Sequence, residues 1–470
     1  MSTFSFSLAA PGSLLGPRTG SLTVRNIRIE TPGLAVSTSR GVIPHLSRDQ
    51  HKRAPAIRWI HIPFETCTLE NNPPVPTLQP GKNPLHRFLG YSVEHHVLAL
   101  CLRDPADGKK MPANGNDYVS ASSAHGVKKV NPAQWRSYVR ACSPDIVKRN
   151  TKSIDRTATW LANLLSPDGS APPLNILVHM AGGTSIPARR AFTESLNETL
   201  HGREAESVRP FRCLNDGVVG YIFDLLPIRM ALHASAGSAA TPENHTASLA
   251  KCSSDKLRVV NSVASPHEIL QLTYCVGIDI FDAKWAQDAP TSAWPLTSCS
   301  QSPRMYHRPP GKEKRDLGHN LYLAQYAHDL SSVLRLFHRW CSSSDRVGCG
   351  RLSLRCLCRH AHRRRNGFLP PFTRAYLHHL LNTHEMSAHS LLAMHNLAVI
   401  DAFLAGIRAV LHDNGADFGA ELDRFFAEYD ESMRIFDEAR TMCKDVDVAR
   451  GKGRLAREKA LNVVLDKAGD

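Results

Sequence analysis

Between Asn175 and Asp282 the chain alternates short apolar runs with longer amphipathic ones. Asn175-Ile-Leu-Val-His-Met180 reads as a strand, and turn residues Gly182-Gly183-Thr184 follow it. Apolar positions then recur at helical spacing from Pro187 to about Leu200, with proline where a first helical turn tolerates it. Gly217–Leu225 reads as a second strand and Leu257–Val263 as a third. Ser265-Pro266 opens a helix through Val276, and Gly277–Phe281 is a fourth strand directly behind it. Strand, helix, strand at this spacing is the βαβ signature of a parallel sheet. Periodicity does not choose between a doubly wound sheet and a closed eight-fold barrel. No glycine-rich dinucleotide loop favours the former.

From Phe372 the pattern changes to long helices: Thr373 to about Leu381, then Leu391–Ile400 and Phe403–Arg408, then Phe418–Phe436. Pro73–Lys82, Ala234–Ser254 and Gln287–Lys314 lack periodicity and read as surface loops, and the charged stretch after Lys444 as a solvated tail.

Composition narrows the classes. The chain has 470 residues, of which 42% are hydrophobic, enough for a substantial core. Lys and Arg outnumber Asp and Glu by 57 to 43, for a formal charge of +14, and the excess is dispersed apart from a cluster at Arg359–Arg365. Such a balance suits an anionic partner, nucleic acid foremost, although a basic surface that binds nothing has the same composition. Twelve cysteines in a chain this long do not make a disulfide scaffold. Met1–Leu15 lacks the basic and long apolar regions of a secretory signal, and no apolar run approaches the roughly 20 residues of a membrane helix. The expected compartment is the reducing cytosol.

Several phrases, in order, carry a resemblance. They are Thr31–His45 (Thr-Pro-Gly-Leu-Ala-Val-Ser-Thr-Ser-Arg-Gly-Val-Ile-Pro-His), Ser262–Leu270 with Gly277–Asp282, Gly318–Tyr322 with Tyr326–Asp329, and Thr373–Met386 continuing to His395-Asn396. Together they resemble the tRNA-guanine transglycosylase family, and within it the eukaryotic non-catalytic branch. The resemblance implies an α/β fold: a (β/α)8 TIM-like barrel with a zinc-binding insertion and C-terminal helices. On that basis the chain divides into an N-terminal extension (1–30), the main barrel (31–335), the insertion with long helices (336–410) and a C-terminal helical part with a charged tail (411–470). Catalytic members exchange guanine at the tRNA wobble position for a 7-deazaguanine base, queuine in eukaryotes. That chemistry uses one carboxylate to attack ribose C1′ and a second to manage protons.

Set against this pattern, Asp282 stands at the nucleophile position, but Ala283-Lys-Trp-Ala-Gln287 replaces the Cys-Val-x-Pro-Thr-Arg type phrase that follows it in catalytic subunits. A structural reading, in which Asp282 caps a strand-to-loop turn, competes with the functional one. The counterpart of the family's Asp-Ser-Gly-Gly phrase is Ser120–Gly126, which has His125 and no carboxylate. After the strand-like Pro144–Val147, where a third Asp is expected, the chain passes into Lys148-Arg-Asn-Thr. With no second carboxylate found, the expectation is a non-catalytic subunit that pairs with a catalytic homologue as a heterodimer and helps to hold tRNA. Arg374, His378, His379 and Arg408 are its candidate RNA contacts, each equally readable as a solvated helix residue.

The family's zinc pattern, Cys-x-Cys-x-x-Cys and a later helical His, is met here by Cys356, Cys358 and His395. Ala361 stands where the third Cys belongs, so His360, His362 and Cys349 are all open candidates for the remaining Zn2+ ligand. The competing reading makes Cys356 and Cys358 unrelated thiols in a basic loop and His395 a core histidine. Two other functional readings stay open: an active transglycosylase with Asp282 as nucleophile, and a zinc- or nucleic-acid-binding protein that has lost the tRNA role. The resemblance also implies a cytoplasmic protein, peripheral at the mitochondrial outer face.

Overall fold

A computed structural model describes residues 3–10, 14–67, 81–104, 112, 114–115, 117–123, 126–149, 154–167, 169, 172–234, 253–288, 314–331, 372–413 and 417–443. These fall into two compact units, residues 1–285 with 400–426, and residues 286–399 with 427–470.

The first unit is built on eight parallel strands: β4 (Gly33–Ser37), β5 (Trp59–Pro63), β6 (Val97–Cys101), β9 (Ile146–Arg149), β10 (Ile176–His179), β11 (Val218–Asp224), β12 (Leu257–Asn261) and β13 (Ile280–Asp282). They pair in that order, and β13 returns to β4 with Phe281 opposite Leu34, closing the barrel. The expected (β/α)8 barrel is therefore what the chain forms. β5, β6, β10 and β12 are buried along their whole length. Strands covered on both faces read as continuous apolar runs rather than as alternation, which suits parallel rather than antiparallel pairing.

Local chemistry sets the crossovers. The helix Pro266–Val276 starts at Ser265, whose side chain accepts from Glu268 N, and ends at Gly277 in the left-handed region at φ 71°. Asn131 and Gln134 form a reciprocal capping box before the helix Pro132–Cys142, an arrangement that contributes about 1 kcal/mol. At Gly220 a Cβ would meet Leu257 O at 2.3 Å, so only glycine lets β11 lie this close to β12.

The amino-terminal residues form a three-stranded antiparallel sheet, β1 (Phe4–Leu8), β2 (Gly20–Val24) and β3 (Ile27–Thr31). Leu22, Val24, Ile27 and Ile29 from this sheet join Trp59, Val97, Ile146, Leu177, Leu257 and Ile280 in one core. Buried Arg18 anchors the connection: its Nε donates to Asp279 Oδ1 at 3.0 Å and its guanidinium reaches Lys256 O at 2.9 Å. A hairpin, β7 (Val119–Ser123) with β8 (Gly126–Val130), inserts between β6 and β9. The carboxyl-terminal part of this unit packs back on it: His267 lies edge-on to Phe425 at 4.9 Å, and Arg408 donates to Pro32 O.

The second unit has its own core of Leu321, Tyr322, Tyr326, Leu377, Leu380, Leu381, Ala388 and Leu392. The helix Arg374–Asn382 begins at Thr373, which accepts from Tyr376 N. The expected runs Leu391–Ile400 and Phe403–Arg408 are one helix, Met386–His412. That helix is long and apolar enough to cross a membrane by length and composition, contrary to the sequence expectation, yet it is mostly buried within the protein, as a core helix is. The expected helix Phe418–Phe436 stops at Glu428, and helix resumes at 434–443. The expected surface loops fall almost wholly outside the described residues.

Candidate functional site

Six barrel strands end on or near a polar side chain after an apolar run: His61 on β5, Lys148 on β9, His179 on β10, Asp224 on β11, Asn261 on β12 and Asp282 on β13. Closing the barrel brings these carboxyl ends onto one rim, where barrel chemistry is sited. Five of these side chains, all but Asp282, make a continuous relay. Lys148 Nζ donates to the His61 ring and, at 3.2 Å, to Asn261 Oδ1. Asn261 Nδ2 donates to Asp224 Oδ1 at 2.6 Å, and His179 Nε2 meets Asp224 Oδ2 at 3.0 Å. The remaining two strands contribute at the edge: the hydroxyl of Thr38, just after β4, donates to His61 O at 2.6 Å, and the Cys101 thiol on β6 reaches Ile62 O.

Electrostatics follow from this burial. Lys148 is 1% exposed. Burial lowers its pKa to about 8, while Cys101, Asp224 and Asp282 pull the other way. His61 is pushed well below its usual value by burial and then by Lys148, so it accepts from the ammonium as a neutral imidazole. Burial works against an ionised Asp224, yet His179, Asn261 and Lys148 outweigh it and hold its pKa low. A carboxylate so held is a weak proton acceptor near neutrality.

Asp282 is 1% exposed. Its Oδ2 accepts from Ser262 N at 2.5 Å and its Oδ1 from Val263 N at 3.0 Å. The carboxylate therefore caps the turn after β12. Burial raises its pKa to about 7, against the lowering effect of these amides and of Lys148. With each oxygen accepting one backbone amide and almost no exposed surface, Asp282 is held as part of the turn.

Sequence reasoning missed four members of this cluster and misplaced a fifth. It ended the fourth barrel strand at Val147, whereas β9 continues through Arg149 and carries Lys148 into the barrel. It did not single out His61, His179, Asp224 or Asn261, and so it overlooked a second carboxylate at the mouth, Asp224. The Ser120–Gly126 phrase does have a carboxylate beside it, from elsewhere in the chain. Glu65 accepts from Asp104 N at 2.9 Å and from Ser122 N at 2.8 Å, pinning the β7–β8 hairpin. His125 lies outside the described residues.

In the second unit the resemblance phrases meet. Arg374 pairs with Asp329 at 3.2 Å and lies 3.1 Å from His319 Nε2, and His378 Nδ1 is 2.8 Å from Leu321 O. Arg374 and His378 thus also bond within the protein, as Arg408 does in the first unit, rather than being merely solvated helix residues. His379 is exposed. His395 is buried on the helix Met386–His412, and its electrostatic influence reaches His319, whose pKa burial and then Arg374 lower to about 4. A buried imidazole suits a closed structural zinc site. Cys356 and Cys358, with Cys349, His360 and His362, lie outside the described residues. Among the described residues no group of three potential metal ligands comes together.

A family model described as queuine tRNA-ribosyltransferase matches residues 14–431. The chain is similar to the queuine tRNA-ribosyltransferase accessory subunit 2 of Aedes aegypti, at 24% identity over 94% of this chain and 96% of that protein. It is also similar to the proteins of that name in Schizosaccharomyces pombe, 24% identical over 92% of this chain and 82% of the relative, and in Ixodes scapularis, 23% identical over 83% and 91%.

Proposed function

The chain belongs to the queuine tRNA-ribosyltransferase (tRNA-guanine transglycosylase) family, and from that premise we propose that it is the non-catalytic subunit of a queuine-inserting enzyme. In this reading it forms a heterodimer with a catalytic homologue, which exchanges guanine for queuine at the wobble position of tRNAs with GUN anticodons. The observation that carries it is the state of Asp282. A nucleophile for ribose C1′ needs an accessible, ionised oxygen. Here the residue is only 1% exposed, each oxygen already accepts a backbone amide from Ser262 or Val263, and burial raises the carboxyl to about 7. Asp224, the other carboxylate at the barrel mouth, is tied into the Lys148–Asn261–Asp224–His179 relay, and its lowered pKa makes it a weak proton acceptor near neutrality.

What remains is a barrel that recognises and supports. The net charge of +14 attracts tRNA through its phosphates, a contribution that weakens with salt. Zinc belongs to the same reading, held by His395 with Cys356 and Cys358, and would stiffen the second unit as a closed thiolate–imidazole site. The proposed place of action is the cytoplasm, at the outer face of the mitochondrion.

Asp224 and Asp282 share one rim, which favours one other reading, an active transglycosylase using this pair. Mixing the full chain with its organism's catalytic homologue and measuring the mass of the complex tests the pairing. A one-to-one complex is expected, and two non-interacting species would overturn the heterodimer.

A further inference from the structure

A second cluster of polar side chains lies where the chain enters β6, away from the barrel mouth. Lys52, His86, Arg87, Gly90, Tyr91, Ser92 and His95 line an open hollow of about 430 Å3. Its lining has two full cations and two imidazoles and no carboxylate. A third cation sits at the edge: Gly90, at φ 74°, has the Arg48 guanidinium lying against it, so close that a Cβ would come within 2.3 Å.

The buried acceptors behind the hollow are already occupied. Asp145 is paired with Arg25 and accepts from Leu98 N at 2.9 Å. The His86 carbonyl, at the end of the helix Pro84–Leu89, accepts from the Gly90 and Tyr91 amides. Not every buried polar atom here is satisfied. The His86 side chain is wholly buried, and its Nε2 lies 3.2 Å from His96 O and 3.3 Å from Asp145 Oδ2. Its Nδ1 has no partner among the described residues. A buried ring nitrogen without a partner is costly, but it is enclosed behind the wall, so the groups that face a ligand are the exposed Lys52, Arg87 and His95.

We propose that this hollow is a phosphate-binding site, with Lys52 and Arg87 as its cationic donors and the His95 and His86 imidazoles at its wall. Phosphate fits because its several oxygens accept from donors spread around it, and because arginine and lysine are the side chains that bind it most readily. On a chain of +14 the expected source is an RNA backbone. That choice of source rests on the tRNA reading above, whereas the phosphate chemistry does not.

Lys52 and Arg87 are exposed, so a Lys52→Ala/Arg87→Ala double variant of the full chain keeps its fold. Two measurements on each protein decide the matter: the 31P linewidth of inorganic phosphate, and tRNA affinity across a salt series. A loss of phosphate line broadening in the variant, with a shallower salt dependence by about one to two contacts, supports an RNA phosphodiester as occupant. A loss of broadening with unchanged salt dependence supports the same site for free phosphate or a mononucleotide. If wild type binds no tRNA, the tRNA reading falls and the phosphate measurement alone decides for the hollow. Identical linewidths and identical salt slopes in the two proteins would overturn the proposal.

Discussion

Lys148 and His61, 87 positions apart in the chain, meet inside the barrel, with the ammonium donating to a neutral imidazole. The pair fills the mouth with fixed positive charge where a base-exchange enzyme needs mobile protons and an open carboxylate. A Trp59 ring 6.0 Å from Nζ and the Asn261 carbonyl at 3.2 Å complete the cage around the cation.

Burial of Lys148 makes stability depend on alkaline pH. Its pKa is about 8 in the fold and 10.5 when unperturbed, so between those values the unfolded chain binds more protons than the folded one. Stability linked to this group therefore rises as pH increases through that window. The urea midpoint of wild type is expected to rise relative to that of Lys148→Met as pH climbs from 8 towards 10, because only wild type gains. A constant difference between the two would contradict the buried, depressed lysine.

Asp282 works in the opposite sense. Its pKa of about 7 lies above the ordinary 3.8, so between these values the folded chain binds more protons. Its contribution is fully present below about 4, the unfolded value, and is lost as pH rises through about 7. Asp282→Ala also leaves the Ser262 and Val263 amides without their acceptor, a cost of about 1–3 kcal/mol. The variant is expected to be less stable than wild type at pH 5, with a gap that narrows by pH 8. Denaturation at the two pH values checks this, and a gap that widens would refute it.

The ion pair beneath the barrel separates buried from exposed electrostatics. Arg18 and Asp279 are 4% and 0% exposed, whereas Arg28 and Glu30 are 68% and 44% exposed. Arg18→Ala strands a buried carboxylate and is expected to cost about 3–5 kcal/mol. Arg28→Ala is expected to cost under about 1 kcal/mol. Equal losses in thermal or urea unfolding would show that the amino-terminal sheet is not anchored through Arg18.

For the zinc proposal the readout is metal content. Purified full-length chain is expected to carry zinc, and Cys356→Ser, Cys358→Ser and His395→Ala are each expected to lower it, with chelation destabilising the second unit. Chain that is folded and free of zinc when prepared with the metal present would remove zinc from the account.

The barrel was legible where apolar runs and helix signals coincide: Ser265-Pro266 opens and Gly277 closes a helix whose ends periodicity placed correctly. The choice of a barrel over an open sheet needed the family resemblance, because the β13–β4 closure joins Asp282 to Ala35 across most of the chain. The mouth cluster was illegible for the same reason. His61, Lys148, His179, Asp224 and Asn261 are single residues spread over 200 positions, and only closure assembles them. A signal was nevertheless present. Ile-Leu-Val-His179, Tyr-Ile-Phe-Asp224 and Val-Val-Asn261 each end an apolar run on a polar residue, the address at which barrel strands deliver function. The internal partners of Arg374 and Arg408, Asp329 and the Pro32 carbonyl, were illegible because they lie far away in sequence.

Queuine incorporation into tRNA, measured for this chain, for its organism's catalytic homologue and for the two together, tests the central claim most directly. The account predicts full activity only in the pair, unchanged by Asp282→Ala in this chain once the variant is shown to be folded. Activity from this chain alone, abolished by Asp282→Ala, would make it an enzyme and contradict the account.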